Sequence, residues 1–167
     1  MTLKPKQDAY PIDVLLPELC ARLQPGRTLL LQAPPGAGKT TRVPLALIGA
    51  LGDQVRRDGR IWMIEPRRLA ARASAARLAS SLEEPVGQRI GFAVRGEQRR
   101  SARTQVEVIT DGLFLRRLQA DPSLDGVSCV LFDELHERRR EADLAFALLR
   151  EAAHLLRPDQ RLMVRSA

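Results

Sequence analysis

The stretch Leu29-Leu-Leu-Gln-Ala-Pro-Pro-Gly-Ala-Gly-Lys-Thr-Thr41 decides the fold of this chain. Its leucines predict a strand, the Pro/Gly-rich residues after them predict a tight loop, and the residues from Lys39 onward have a helical pattern. Gly36 and Gly38 allow backbone N–H groups to close around an anion, and the N-terminus of the following helix adds partial positive charge. A strand, a glycine-bearing loop and a helix in this order predict a phosphate-binding P-loop.

The side chains of this loop indicate which ligand it holds. The ammonium of Lys39 suits the β- and γ-phosphates of a nucleotide, and the Thr40 hydroxyl suits Mg²⁺. Ala33 stands where the pattern usually has its first glycine, which we treat as a minor departure. We therefore expect ATP and Mg²⁺ as cofactors, with the nucleotide held by Pro35, Gly36, Ala37, Gly38, Lys39, Thr40 and Thr41.

An acidic pair follows a second apolar strand, because Cys129-Val-Leu-Phe132 leads into Asp133 and Glu134. In open α/β sheets the carboxyl ends of the strands face the ligand crevice. We expect Asp133 to hold Mg²⁺, directly or through water, and Glu134 to polarise the water that attacks the γ-phosphate. The acidic start of an ordinary helix would show the same pair. The P-loop upstream favours the catalytic interpretation.

Short strands and amphipathic helices alternate along the chain, which predicts an α/β fold. We expect a three-layer αβα sandwich with a mostly parallel sheet, formed by residues 12–167 after an N-terminal tail at 1–11. The polar, basic run 95–103 is predicted to be an exposed loop. The predicted strands are 28–32, 60–65, 90–94, 105–110, 129–133 and 161–165, and the predicted helices are 12–23, 39–51, 69–81, 111–119 and 142–156.

Composition limits the classes of protein to consider. The chain has 167 residues, of which 44% are hydrophobic and 28% charged, as in one globular domain. A net charge of +7 favours polyanionic partners such as nucleic acid. We expect a cytoplasmic protein without a membrane span, because the start is polar and no apolar run approaches roughly 18 residues. Cys20 and Cys129 lack metal-ligand spacing and are predicted to be buried apolar residues.

Four motifs resemble those of DEAH-box helicases. Asp133-Glu-Leu-His136 resembles motif II, with leucine in place of alanine, and Ser166-Ala167 resembles the start of motif III. Within that family the resemblance is to the bacterial HrpB-type branch, which Leu15-Leu-Pro-Glu-Leu19 and Ala142-Asp-Leu-Ala145 share. Arg139 and Arg140 depart from the smaller, less basic residues usual in the family. Glu65-Pro-Arg-Arg-Leu-Ala-Ala-Arg72 resembles motif Ia, and Thr110-Asp-Gly-Leu-Phe-Leu115 resembles motif Ib.

The resemblance implies roles for further residues. Arg67, Arg68 and Thr110 match positions along the single-stranded nucleic-acid track of the family. Arg77 matches an arginine that stacks on adenine, although a solvated helix face explains it equally well. His136 matches a histidine that links motif II to motif III and the second domain and binds no metal.

The resemblance also implies a RecA-like domain that works with a second RecA-like domain, which supplies the arginine fingers. The chain is expected to hold only the first domain, ending within motif III, and so to bind ATP weakly and hydrolyse it barely. Its substrate would be single-stranded RNA or DNA, which the motifs do not distinguish. Two alternatives remain: a non-catalytic nucleotide- or nucleic-acid-binding fragment, and a different P-loop enzyme such as a kinase or an AAA-type ATPase.

Overall fold

The computed structural model describes residues 9–53 and 59–166, except the side chain of His136. Most of the predicted tail and Ala167 therefore lie outside the described residues. The strands are β1 Thr28–Gln32, β2 Arg60–Glu65, β3 Ile90–Val94, β4 Glu97–Arg99, β5 Val106–Thr110, β6 Val127–Asp133 and β7 Arg161–Ser166. The helices are α1 Leu16–Arg22, α2 Lys39–Ala50, α3 Arg68–Ser81, α4 Asp111–Ala120 and α5 Arg140–Leu155, with 3₁₀ turns at Pro11–Val14 and Leu135–Glu137.

The seven strands form one sheet in the order β1-β7-β6-β2-β5-β3-β4. Every pairing is parallel except that of β3 with β4. Strands such as Ile90–Val94 and Val106–Thr110 are buried along their whole length. Strands that are buried over their whole length are typical of a parallel sheet with both faces covered.

Helices cover both faces, so the predicted three-layer α/β architecture is confirmed. Ile61 and Met63 of β2 belong to the apolar cluster on the face of α1, α2 and α3. Trp62 and Ile64, which alternate with them along the strand, belong to the cluster on the face of α4 and α5. The period of two residues in a strand explains this division, because neighbouring side chains point to opposite faces.

Two local predictions were wrong. Within the predicted loop 95–103, residues Glu97–Arg99 form β4, because Gly96 adopts a φ of 82° and lets the chain reverse against β3. The predicted helix 12–23 is instead a 3₁₀ turn followed by α1, whose first turn contains Pro17. Proline has no N–H group to continue a helix and is tolerated in the first turn.

Two further features bear on the predicted class of protein. Cys129 is buried as predicted, whereas Cys20 is only half-buried, and both thiols are free. Within residues 9–53 and 59–166, no helix has the length and apolar character that crossing a membrane requires.

Candidate active site

The predicted site residues come together where the parallel strands end. The parallel direction of β1, β7, β6, β2 and β5 places all their carboxyl ends at one edge of the sheet. The side chains at these ends are those of Gln32, Ser166, Asp133, Glu65 and Thr110. Ligands of open α/β sheets generally bind at this edge.

The glycine-bearing loop leaves the end of β1 and turns into α2. Gly38 precedes the helix with a φ of 95°, and Gly36 has a φ of 78°. A Cβ atom on Gly36 would meet nothing within 4 Å, so the loop is open at this point. Ala37 is buried beneath it. The result is an exposed, concave turn of backbone at a helix N-terminus, the structure that binds phosphate.

Lys39 folds into this turn. Its side chain is buried, and the Nζ donates hydrogen bonds to the carbonyl oxygens of Ala33 and Pro34, the latter at 3.3 Å. The ammonium thus lies inside the loop. A phosphate in the loop would offer it charged acceptors, which bind an ammonium more strongly than neutral carbonyls do.

Thr40 and Asp133 meet across the site. The Thr40 hydroxyl donates a hydrogen bond of 3.0 Å to Asp133 Oδ2. Asp133 is 5% exposed, and its other oxygen, Oδ1, is buried without a hydrogen-bond partner among the described residues. A hydroxyl and a carboxylate with an unpaired oxygen are the hard ligands that Mg²⁺ prefers. The two residues predicted as metal ligands therefore fit the ion.

Arg165 is a site residue that the sequence did not reveal. It lies opposite Asp133 in the pairing of β6 with β7 and is completely buried. Its Nη1 donates to the Lys39 carbonyl oxygen at 2.9 Å, and its Nη2 lies 3.1 Å from Asp133 Oδ2. It thereby ties the start of α2 to the acidic pair. The sequence feature that could have indicated this role is an arginine in the apolar run of β7.

Glu65 also belongs to this edge, although the sequence marked it only as part of a motif. It is buried, and Ser74 of α3 donates a hydrogen bond of 2.8 Å to its Oε1. Burial, together with the negative charge of Asp133, raises the pKa of Glu65 to about 7. The neighbouring carboxylate of Asp133 disfavours ionisation of Glu65, and a cation between the two groups would relieve this.

Glu134 begins a strained turn. Its φ is 52°, and Arg138, just after the 3₁₀ turn Leu135–Glu137, has a φ of 54°. Non-glycine residues rarely adopt such values. The Glu134 N–H donates to the Arg165 carbonyl oxygen at 3.1 Å, which holds the start of this turn against β7. Strain of this kind persists only where the surroundings hold it, and it is frequent at functional sites.

The segment before α1 supports the loop from outside, which the sequence did not predict. The Tyr10 ring packs so closely that a Cβ atom on Gly38 would lie 2.8 Å from it. The Ile12 N–H donates to the Ala37 carbonyl oxygen at 3.1 Å. Arg42 of α2 pairs with Asp13 at 2.7 Å, and its hydrogen bonds hold the pKa of Asp13 below its usual range.

The residues predicted to contact nucleic acid lie just after the end of β2 and at the end of β5, and these two strands are neighbours in the sheet. Arg67 and Arg68 are exposed at the start of α3. Thr110 precedes α4 and pairs with Glu65 in the register of β2 and β5. Thr110 is only 9% exposed, so a ligand would reach little of its side chain.

The remaining two predicted site residues are Arg77 and His136. Arg77 is exposed on α3, one turn beyond Ser74, the partner of Glu65. The backbone of His136 belongs to the turn after Glu134, and its side chain lies outside the described residues.

Comparisons with known proteins agree with this geometry. The family model described as "DEAD/DEAH box helicase" matches residues 17–167. The ATP-dependent RNA helicase HrpB of Escherichia coli strain K12 is 44% identical over 159 residues, which are 95% of this chain and 19% of that protein.

Two solved structures of E. coli HrpB superpose on the chain. The structure described as a DEAH/RHA helicase has a TM-score of 0.86 and 42% identity over 95% of this chain and 20% of its own. The structure described as a DExH-box NTPase has a TM-score of 0.88 and 41% identity over 98% of this chain and 20% of its own. The chain thus spans about a fifth of the length of these relatives.

Proposed function

Because the chain belongs to the DEAD/DEAH box helicase family and shares the α/β fold of the HrpB motor, we propose that it is the N-terminal, RecA-like motor domain of an ATP-dependent helicase. It binds ATP·Mg²⁺ at the carboxyl edge of the sheet and single-stranded nucleic acid beside it. The observation that carries the proposal is the contact between Thr40 and Asp133, beside an open glycine-bearing loop.

Each side of the nucleotide has its own set of residues in this proposal. The backbone of residues 35–41 surrounds the phosphates, and Lys39 exchanges its carbonyl partners for phosphate oxygens. Thr40 and Asp133 hold Mg²⁺, which neutralises charge on the β- and γ-phosphates when bound. Arg77 stacks on the adenine from α3, where its exposed guanidinium is free to lie over a ring.

Hydrolysis in this proposal depends on Glu134, which orients and polarises the attacking water. Glu134 directly follows Asp133 at the end of β6 and begins the strained turn, which supports this role. His136 follows in the same turn and, in this proposal, links motif II to motif III and the second domain. By analogy with the family, that second domain supplies arginine fingers, so the chain alone hydrolyses ATP very slowly.

Nucleic acid binds at Arg67 and Arg68 through its phosphates, and Thr110 helps to shape that surface from beneath. The net charge of +7 supports a polyanionic partner, either RNA or DNA. The proposed location is the cytoplasm.

Fluorescence anisotropy of a labelled ATP analogue tests the nucleotide site directly. Lys39→Ala removes the ammonium from the loop and should weaken binding by about tenfold or more, because charged hydrogen bonds to phosphate are lost. Arg22→Ala is the control, since it removes an exposed cation of α1 that pairs only with Glu18 among the described residues. Equal affinities of Lys39→Ala and Arg22→Ala would overturn the site.

A second titration tests the nucleic-acid surface. The double variant Arg67→Ala/Arg68→Ala should bind a labelled single-stranded oligonucleotide more weakly and with a smaller dependence on salt concentration, because each phosphate contact contributes about 0.7 to the salt slope. An unchanged slope would place the nucleic acid elsewhere on the chain.

A further inference from the structure

Arg139 joins three segments of the site that lie far apart in the sequence. Its Nη1 donates a hydrogen bond of 3.1 Å to the Pro66 carbonyl oxygen and also contacts the carboxylate of Asp111. Its Nε lies 3.4 Å from Glu137 Oε2. The Arg139 side chain is 23% exposed and that of Asp111 is 12% exposed. Ion pairs this shielded from water are screened less than surface pairs.

The partners of Arg139 connect two different functions. Pro66 directly precedes Arg67 and Arg68, and Asp111 directly follows Thr110. These contacts therefore hold the two segments proposed to bind nucleic acid. Glu137 ends the 3₁₀ turn that begins after Glu134. One guanidinium thus lies between the nucleic-acid surface and the turn that carries the hydrolytic carboxylate.

The position of Arg139 is an unusual one for an arginine. It is the residue before α5, where its carbonyl oxygen accepts the first helical hydrogen bond from Asp143 at 2.8 Å, and its side chain makes no capping bond. Serine, threonine, aspartate and asparagine are favoured at such positions because their side chains cap the helix. Arg139 gives up that capping interaction, and its guanidinium binds Pro66 and Asp111 instead.

The turn that Arg139 adjoins has strained backbone at both ends. Left-handed backbone at Glu134 and at Arg138 brackets it, so a small change in its supports would release strain. Arg165 supports its start through a backbone bond, and Arg139 supports its end through Glu137. A shift of Arg67 or Thr110 on binding a strand would move Pro66 or Asp111, and Arg139 with them.

We propose that Arg139 is a positioning residue that couples nucleic-acid binding at Arg67, Arg68 and Thr110 to the placement of Glu134. This inference rests on the proposed motor function. It adds the contacts through which binding of nucleic acid changes the affinity for nucleotide, and the reverse. Coupling between two sites is reciprocal, so the nucleotide must change the affinity for nucleic acid by the same factor as the reverse.

The test measures that factor in the 167-residue chain. Anisotropy gives the Kd of a short fluorescein-labelled oligouridylate with and without a saturating non-hydrolysable ATP analogue and Mg²⁺. We expect the two Kd values of the wild-type chain to differ by about fivefold or more, in the range usual for coupled sites. In Arg139→Ser the ratio should fall to near one, while each ligand still binds.

The choice of variants separates coupling from folding. Arg140→Ser removes the same charge one residue later, at an exposed position, and should keep the wild-type ratio. Arg139→Ser places a favourable capping residue before α5, so the change itself supports the helix. Asp111→Asn keeps an acceptor for the Gly112 N–H but removes the charged partner of Arg139, and it should lower the ratio as Arg139→Ser does.

The possible results separate failure of the coupling role from failure of the proposed motor function. If the wild-type chain binds both ligands with a ratio of one, or if Arg139→Ser keeps the wild-type ratio, the coupling role of Arg139 is wrong and the motor assignment stands. If the wild-type chain binds neither ligand, the proposed function fails and the inference fails with it.

Discussion

The Thr40 hydroxyl donates a hydrogen bond of 3.0 Å to Asp133 Oδ2, although the two residues are 93 positions apart in the sequence. Only β7 separates β1 from β6 in the sheet, so the loop after β1 and the acidic pair after β6 meet above the end of β7. Arg165 of β7 contacts both, through the Lys39 carbonyl oxygen and Asp133. The order of the strands therefore assembles the proposed metal site.

Removal of the Thr40 hydroxyl should abolish most of the benefit of Mg²⁺ for nucleotide binding. Thr40→Val keeps the shape of the side chain but loses the hydroxyl beside Asp133. We expect affinity for a labelled ATP analogue in Mg²⁺ to fall by about tenfold or more towards its value in EDTA. Thr40→Ser, which retains a hydroxyl, is the control. The prediction is wrong if both variants respond to Mg²⁺ equally.

Replacing the two loop glycines by alanine should affect stability and nucleotide affinity to different extents. In Gly38→Ala the new methyl group would lie 2.8 Å from the Tyr10 ring at a φ of 95°, so urea unfolding should show a loss of about 2–4 kcal/mol. In Gly36→Ala the methyl group meets nothing, and the loss should be about 1–2 kcal/mol. Gly36→Ala should nevertheless lose nucleotide affinity, because its methyl group occupies the phosphate turn.

Tyr10→Ala checks the cause of the larger effect. If the clash with the ring destabilises Gly38→Ala, the double variant Tyr10→Ala/Gly38→Ala should lose less stability than the two single changes together. Strict additivity would show that the backbone conformation of Gly38 alone is responsible.

The buried carboxyl of Glu65 should make the chain less stable as the pH rises. Its pKa is about 7 in the folded chain, against 4.5 for an unperturbed glutamate. Between these values the folded state binds more protons than the unfolded state, so the free energy of unfolding falls as the pH increases through this window. The shift corresponds to a loss of about 3 kcal/mol, because one pKa unit is about 1.4 kcal/mol.

Glu65→Gln removes the titrating group and retains an amide that can pair with Ser74. In EDTA, the difference in unfolding free energy between this variant and the wild-type chain should grow from pH 4.5 to pH 7 and then level off. A difference that stays constant over this interval would mean that Glu65 titrates normally.

Loss of the buried Arg165 side chain should destabilise the fold strongly. Arg165→Met leaves Asp133 buried beside Glu65 without its cation, and breaking such a pair typically costs about 3–5 kcal/mol. Asp133→Asn in the same chain removes the stranded charge. We expect the double variant to be more stable than the sum of the single effects by about 1–3 kcal/mol in urea unfolding, and simple additivity would show that the pair is not coupled.

The chain alone should turn over ATP at least about a thousandfold more slowly than full-length E. coli HrpB assayed beside it, because arginine fingers are worth about 10³–10⁵ in rate for related NTPases. Malachite-green release of phosphate in the presence of single-stranded RNA measures both rates. Glu134→Gln in the chain gives the background rate of phosphate release that does not depend on the proposed site. A rate within about tenfold of the full-length relative would contradict the need for a second domain.

Local sequence signals predicted most of the secondary structure. The strands β1 and β2 and the start of α2 at Lys39 lie where apolar runs and glycines placed them. The resemblance to HrpB-type DEAH-box helicases is likewise confirmed by the family match and by the superposed structures. The secondary-structure predictions and the family resemblance both depend on patterns among residues that are close in the sequence, such as the motif around Lys39.

What the sequence did not reveal lies in contacts between distant segments. From the sequence, Glu65 was assigned only to a motif and Arg165 only to a predicted strand, and neither was given a function. Their importance comes from facing Asp133 in a buried place, which depends on the order of the strands. The strand β4 was also missed, since its residues are polar and its pairing with β3 is an edge contact.

The sequence by itself determined most of the elements, the loop that we propose binds phosphate, and the family, because apolar periodicity, glycine conformation and short motifs are properties of neighbouring residues. The tertiary structure decided which chain segments share the site. It placed Thr40 against Asp133, buried Arg165 beside Asp133 and set Arg139 between Pro66 and Asp111. Such contacts depend on how the whole sheet packs, and no short stretch of sequence specifies that.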